Sequence, residues 1–385
     1  MRVDPAWRDI LDEGDGGGMA EGGAGTSERG MQIPLRAGVK DVAREAGVSV
    51  GTVSNVLNRP DQVSPEARER VKSAVRKLGY VRNPHAQALR TGVSPLVGVA
   101  VLDLLNPFFM EAADGMERRL AEDACIMALT STHSDPEIES HVLRVLSGQG
   151  VRGILLTPTD GAMKEVRKTV ARGTRVVLFD TTATPKDVSS VSVDDKRGAR
   201  LAIEHLLGLG HTRIAFFNGP DRVRQARDRQ AGVEQAVGLK AGESVKGGRA
   251  RSALDVVHLD SFTAEDGRLA AEVMLENARQ ADGTIDRMQL PTAIFCANDQ
   301  IALGVTQVLQ DHRVRIPRDV SVVGFDDTEV ASQLSTPLTT VRQPMEELGW
   351  AAADILLSDS DEVIHRRFAP ELVVRESTAP PCAAQ

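Results

Sequence analysis

From residue 96 onward the chain alternates short apolar runs with amphipathic helical stretches, and this alternation restricts the fold more than any other feature. The runs LVGVAVLD (96–103), CIMALTST (125–132), GILLTP (153–158), RVVLFD (175–180), RIAFFNG (213–219), VVHLD (256–260), AIFCAND (293–299) and SVVGFDD (321–327) read as strands. PFFMEAADGMERRLAEDA, IESHVLRVLSGQ, KRGARLAIEHLLGLG and QIALGVTQVLQDH lie between them as helices. Strands apolar along their whole length, each followed by a helix, form parallel sheets covered on both faces. So many strands overfill one small sheet. Two open α/β lobes with a cleft between them are expected, and ligands in such sheets sit beyond the carboxyl ends of the strands.

Ahead of this region the period is helical. VKDVAREAG places Val39, Val42, Ala43 and Ala46 on one face, and Gly47 ends the helix. SVGTVSNVLN follows, with Ser49 as N-cap and Val53, Val56 and Leu57 as its buried side. Ser64-Pro65-Glu66 starts a third helix: a capping hydroxyl, a proline in the first turn, then an acid near the positive end of the dipole. A small residue at Ala43, a glycine turn at Gly47, and Val48 and Val53 plugging the crossing make a helix-turn-helix. Its second helix exposes Val50, Gly51, Ser54 and Asn55, and such a helix fits the major groove of duplex DNA.

Charge follows the same division. The chain of 385 residues carries a net charge of -8, yet residues 36–92 hold eleven basic and five acidic side chains. A basic module on an acidic body is the pattern of a protein whose one end meets phosphates; a solvated basic face is the alternative. Residues 1–37, rich in glycine and acid, are expected to form a disordered tail. No apolar stretch reaches the ~18 residues of a membrane helix, and the opening residues do not resemble a secretory signal. Three cysteines, odd in number and far apart, argue against a disulfide framework or a structural zinc site. A cytoplasmic protein without cofactor is expected. No activated nucleophile and no metal-ligand spacing is found, so an enzyme with an α/β cleft is only an alternative, as is a transport-type sugar-binding protein.

DVAREAGVSVGTVSNVLN, VSPEARERV, LGYVRNPHAQALRTG, DLLNPFF, GARLAIEHLLGLGHTRIAF, CANDQIALG and SVVGFDDTEVASQLSTPLTTVRQP, in that order, resemble the lactose-repressor family of bacterial transcription regulators. The resemblance runs from about Val39 to about Glu376. It implies a helix-turn-helix domain followed by a two-lobed domain like the periplasmic binding proteins, acting as a homodimer on a palindromic operator and switched by a small effector. That effector is expected to be sugar-like, with a purine or another small metabolite as the alternative. The implied domains are the tail (1–37), the DNA-binding domain (38–83), a hinge (84–94) and the effector domain (95–385). Lobe one takes 95–193 and 345–372; lobe two takes 194–341 and 373–380.

The resemblance also carries roles to particular residues. Val50, Gly51, Thr52, Ser54 and Asn55 match positions that read operator DNA, Thr52, Ser54 and Asn58 are donors suited to phosphates and base edges, and Leu89 matches a hinge leucine inserted in the minor groove. Asn at position 55 stands where many members carry Arg, which pairs with guanine where Asn pairs with adenine. Phe108 and Phe109 match an effector-lining loop, with a core pair as the alternative. Arg229, in RQAG, matches an effector-binding Arg; the nearby Arg222, Arg224 and Arg227 leave open a solvated face instead. Phe262, Asn298 and Gln343 match a stacking aromatic and two polar contacts. Asp180 and Asp326 end strands where the cleft should lie. Asp326 is expected to accept two hydroxyls, and Asp327 beside it to be structural.

Overall fold

The computed structural model describes residues 37–80, 94–238 and 253–382, which fall into a helical unit and a larger α/β unit. In the helical unit α1 (Val39–Ala46), α2 (Val50–Asn58) and α3 (Pro65–Leu78) enclose a small core of Val42, Ala43, Ala46, Val53, Val56, Val71 and Ala74. The expected caps form: the Ser49 hydroxyl accepts from the Thr52 amide at 3.0 Å, and the Ser64 hydroxyl from that of Ala67 at 3.4 Å. Gly47 closes α1 at φ 62°, a left-handed conformation that glycine adopts without steric cost. Its position lets the Val48 amide reach back to the Ala43 carbonyl at 3.1 Å, turning the chain sharply into α2.

The α/β unit holds two six-stranded sheets. The strands are β1 (Leu96–Val101), β2 (Ile126–Ser131), β3 (Gly153–Leu156), β4 (Arg175–Phe179), β5 (Ser189–Val193), β6 (Arg213–Asn218), β7 (Ala253–His258), β8 (Ala293–Cys296), β9 (Ser321–Asp326), β10 (Thr339–Arg342), β11 (His365–Phe368) and β12 (Glu371–Val373). The first sheet, β11-β5-β4-β3-β1-β2, is parallel throughout. The second, β12-β10-β9-β8-β6-β7, is parallel except for β12, which runs antiparallel to β10. Between them run α4 (Pro107–Glu122), α5 (Pro136–Gly148), α6 (Met163–Ala171), α7 (Asp195–Gly208), α8 (Arg224–Ala236), α9 (Ala264–Asn277), α10 (Asp299–Asp311), α11 (Glu329–Gln333) and α12 (Met345–Leu357).

Four strands, β5, β10, β11 and β12, were not among the eight read from apolar runs. Their sequences SSVSV, TTVR, HRRF and ELV are short and half polar, so neighbours rather than their own hydrophobicity hold them in the sheet. The chain crosses between the sheets three times: after β5, between β10 and α12, and between β11 and β12. The last crossing precedes the expected boundary at 372, because Glu371 and Leu372 already pair with Arg342 and Val341 of the second sheet.

Candidate functional site

On α2, Val50, Gly51 and Asn55 are exposed, while Thr52, Ser54 and Asn58 are half-buried. These half-buried side chains are partly occupied within the helix: Thr52 Oγ1 lies 2.9 Å from Ser49 Oγ, and Asn58 Nδ2 donates to the Ser54 carbonyl at 2.7 Å and to Ser54 Oγ at 3.2 Å. The face open to a partner is therefore Val50, Gly51 and Asn55, next to the helix N-terminus. Leu89 and most of the hinge lie outside the described residues.

Between the lobes, at the carboxyl ends of β1, β4, β6 and β9, lies a cavity of about 250 Å³. Its wall includes Phe108, Phe109, Asp180, Arg229, Phe262 and Asp326. Each is brought there by a local device. Asn106 caps α4, its Oδ1 accepting from the Phe108 amide at 3.0 Å, and Pro107 fills the first turn, so both phenylalanines start a helix at the cavity edge. Their rings meet edge to face at 5.1 Å. Phe262 lies over Gly219; a Cβ there would fall 2.2 Å from the ring, so only glycine leaves room for this wall. Asp180 (φ 52°) and Asp326 (φ 115°) are held in left-handed conformations at their strand ends, as are His133 and Ser134 (φ 50° and 56°) beside them in the wall. Such strain concentrates at binding sites.

Arg229 is buried, whereas Arg222 and Arg224 are exposed, so it is not one member of a solvated face. Its guanidinium packs 3.9 Å over the Phe325 ring. Nε donates to Asp195 at 2.9 Å and Nη1 to the Ala297 carbonyl at 2.6 Å. Nη2 faces Asp326 Oδ1 at 3.9 Å. The arginine is thus a fixed post with one edge left toward the cavity.

One guanidinium here faces three buried carboxyls. Burial disfavours its charge, but Asp195, Asp326 and Asp180 outweigh that and hold its pKa above the ordinary value. Burial pushes Asp180 up to about 8, with the Asp195 charge adding to it. Burial pushes Asp195 up to about 6 against the pull of Arg229. Asp326 is raised well above the carboxylate range by burial, again against Arg229. Asp327 is different: it pairs with Arg342 at 2.7 Å and Arg375 at 2.6 Å, the structural role expected of it.

Asn298 and Gln343 do not line the cavity. Asn298 spends its side chain on structure: Oδ1 caps α10 through the Ile301 amide at 2.9 Å, and Nδ2 donates to the Phe262 carbonyl at 3.1 Å. Gln343 stands behind Asp326, donating from Nε2 to Oδ1 at 2.7 Å. Both hold wall residues from outside the cavity.

Residues 38–83 match the family model described as bacterial regulatory proteins, lacI family, and residues 203–378 match that of a periplasmic binding protein-like domain. The HTH-type transcriptional regulator DegA of Bacillus subtilis is 31% identical over 359 residues, 90% of this chain and 99% of its own. The chain belongs to the lacI family.

Two further relatives bear on the cleft of this lacI-family member. The ribose operon repressor of Escherichia coli is 32% identical, covering 87% of this chain and 94% of its own. The HTH-type transcriptional repressor PurR of Vibrio atlanticus is 31% identical, covering 88% and 98%. Among solved structures, the Lac repressor dimer bound to operator and the anti-inducer ONPF superposes with a TM-score of 0.71 at 28% identity, covering 90% of this chain and all of that one. A complex of the transcriptional regulator CelR with cellobiose gives 0.61 at 30% identity over 89% of this chain. As a lacI-family protein the chain is a DNA-binding transcriptional regulator, not an enzyme. Among the described residues no helix is long and apolar enough to cross a membrane.

Sequence reasoning missed two polar groups of this lacI-family site. Gln225, on α8, lines the cavity and donates to Asp180 Oδ2 at 2.8 Å. Asp195, in the first turn of α7, orients Arg229. Neither motif stands out in sequence. Gln225 lies four residues before Arg229, one turn along the same helix face, and that spacing was the available signal.

Proposed function

We propose that this regulator is a homodimeric, cytoplasmic repressor whose grip on a palindromic operator is switched by a sugar-like effector bound between the two lobes. The observation that carries the effector half is the pairing of Asp180 and Asp326, carboxyls from opposite lobes, in one cavity with Arg229 and three phenylalanines. That wall carries Asp180 and Asp326 beside Arg222, Gln225, Ser134 and Ser261, donors and acceptors around one space. A polyhydroxylated ligand both donates and accepts, and its apolar ring faces suit aromatic walls. The cavity of about 250 Å³ has the size of a single small ring system. A purine is the second reading, favoured by the flat rings of Phe108 and Phe262 in the wall. On the DNA side, Val50, Gly51 and Asn55 meet base edges, Thr52, Ser54 and Asn58 support them, and Leu89 in the hinge (84–94) enters the minor groove.

The test is a thermal-shift screen of pentoses, hexoses and purine bases, followed by calorimetric titration of the hit. A ligand at about 100 times its Kd adds about 2.7 kcal/mol of stability, so a true effector is conspicuous. Arg229→Ala should weaken it by about 1.5–3 kcal/mol, the value of a hydrogen bond to a charged group, and Asp326→Ala by about 0.5–1.5 kcal/mol, the value of one to an uncharged carboxyl. A purine hit in place of a sugar would select the second reading. Unchanged affinity in both variants would remove these residues from the site.

A further inference from the structure

The first turn of α8 and the residue before it belong to the second lobe by chain order, yet they pack on the first. Val223 and Ala226 sit in the same apolar cluster as Phe108 and Phe179. Thr182, just beyond β4, donates its hydroxyl to Asp228. At the rim, Arg227 grips Asp160 with both arms: Nη1 to Oδ2 at 2.8 Å and Nη2 to Oδ1 at 2.9 Å. Neither residue of this pair lines the effector cavity. Asp160 rides on the loop after β3, and that loop is fixed from beneath. The Thr159 amide donates to Glu139 Oε2 at 2.6 Å, and Glu139, on α5, is only 1% exposed. A carboxylate is held in that interior position for one backbone donor, immediately before the residue that crosses the cleft.

We propose that Asp160 and Arg227 are positioning residues for the effector response: they hold the two lobes together without touching the ligand, and Glu139 fixes the loop that presents Asp160. This rests on the reading that an effector bound between the two lobes switches the regulator, here by drawing the lobes together. A bidentate carboxylate–guanidinium pair has directional bonds that exist only when the lobes are together. Arg227 and Asp160 keep 40% and 53% of their side-chain surface exposed, so water screens the pair. Its contribution is modest, which is what a bistable cleft needs: a bias toward closure that leaves the final shift to the ligand.

Hydrogen exchange of the full chain without ligand tests this. In Asp160→Asn, peptides covering residues 179–183 and 222–229 should exchange about three- to fivefold faster, the range set by a half-exposed pair. Peptides from α10 and from α3 should exchange as in the parent. The charge swap Asp160→Arg with Arg227→Asp should restore slow exchange. Glu139→Ala should reproduce the acceleration, and Glu139→Gln, which keeps an acceptor oxygen, should not. Parent-like exchange in Asp160→Asn overturns the proposal, and so does an acceleration spread evenly through α10. A ligand screen that finds nothing would count against the effector reading while leaving this exchange result intact, so the two failures are distinguishable.

Discussion

Asp180 shows what a single residue must reconcile in this cleft. It is buried, left-handed in backbone, held by Gln225 and near a second carboxyl, and burial raises its pKa to about 8. Between the ordinary value of 3.8 and about 8 the folded chain therefore keeps a proton that the unfolded chain has lost. Stability must fall as pH rises through that interval, the reverse of a salt-bridged aspartate. Asp180→Asn removes the titration, keeps an acceptor for Gln225, and tolerates the positive φ better than most residues. Relative to the parent, its Tm should rise by about 3 °C or more between about pH 5.5 and about pH 8.5. A constant difference across that range in scanning calorimetry would mean that Asp180 is already ionised in the folded chain. Position made Asp180 and Asp326 legible, since strand ends point at a cleft whatever their neighbours. Asn298 and Gln343 are expected in the wall only because the family resemblance places polar contacts at their positions. Which way an amide turns depends on partners far along the chain, Phe262 for one and Asp326 for the other.

At the scale of elements, signals that repeat within one segment were readable and signals that need a neighbour were not. The helix-turn-helix carries its own caps, glycine turn and buried stripe, and forms as expected. Six of the eight apolar runs form inner strands that are almost wholly buried, and the edge strands β2 and β7 are half-exposed. SSVSV in β5 and TTVR in β10 are buried too, yet half their side chains are polar, and they enter the sheets through parallel pairing with β4 and β9. The same logic separates the residues of α2. Thr52, Ser54 and Asn58 have bonds inside the helix, while Asn55 is exposed on the face that bears Val50 and Gly51. Base contacts specify and phosphate contacts position. Asn55→Ala should therefore lose about 1–3 kcal/mol on the selected operator while binding random duplex DNA nearly as before. Competition gel shifts measure both affinities in one experiment. Equal losses on the two DNAs would assign Asn55 to the backbone.

For the whole molecule the decisive feature is that the two units have separate cores. Val42, Val53 and Val71 are buried within the helical unit, while the α/β unit buries its own large clusters around the two sheets. Charge is divided in the same way: residues 36–92 hold eleven basic side chains against five acidic ones in a chain whose net charge is -8. Removing residues 1–83 should accordingly leave a protein that melts cooperatively and keeps its effector affinity, because no residue of the cavity wall lies in the deleted part. The same deletion should abolish specific operator binding together with its salt dependence, since counterion release requires the lost lysines and arginines. Affinity for the operator measured between about 50 and 200 mM salt makes the test quantitative. The parent should lose affinity steeply across that range, and the truncated chain should show no operator binding at either end. If the truncated protein still bound the operator with a parent-like salt slope, the phosphate contacts would have to come from the acidic α/β unit, and the division of labour between the two units would be wrong.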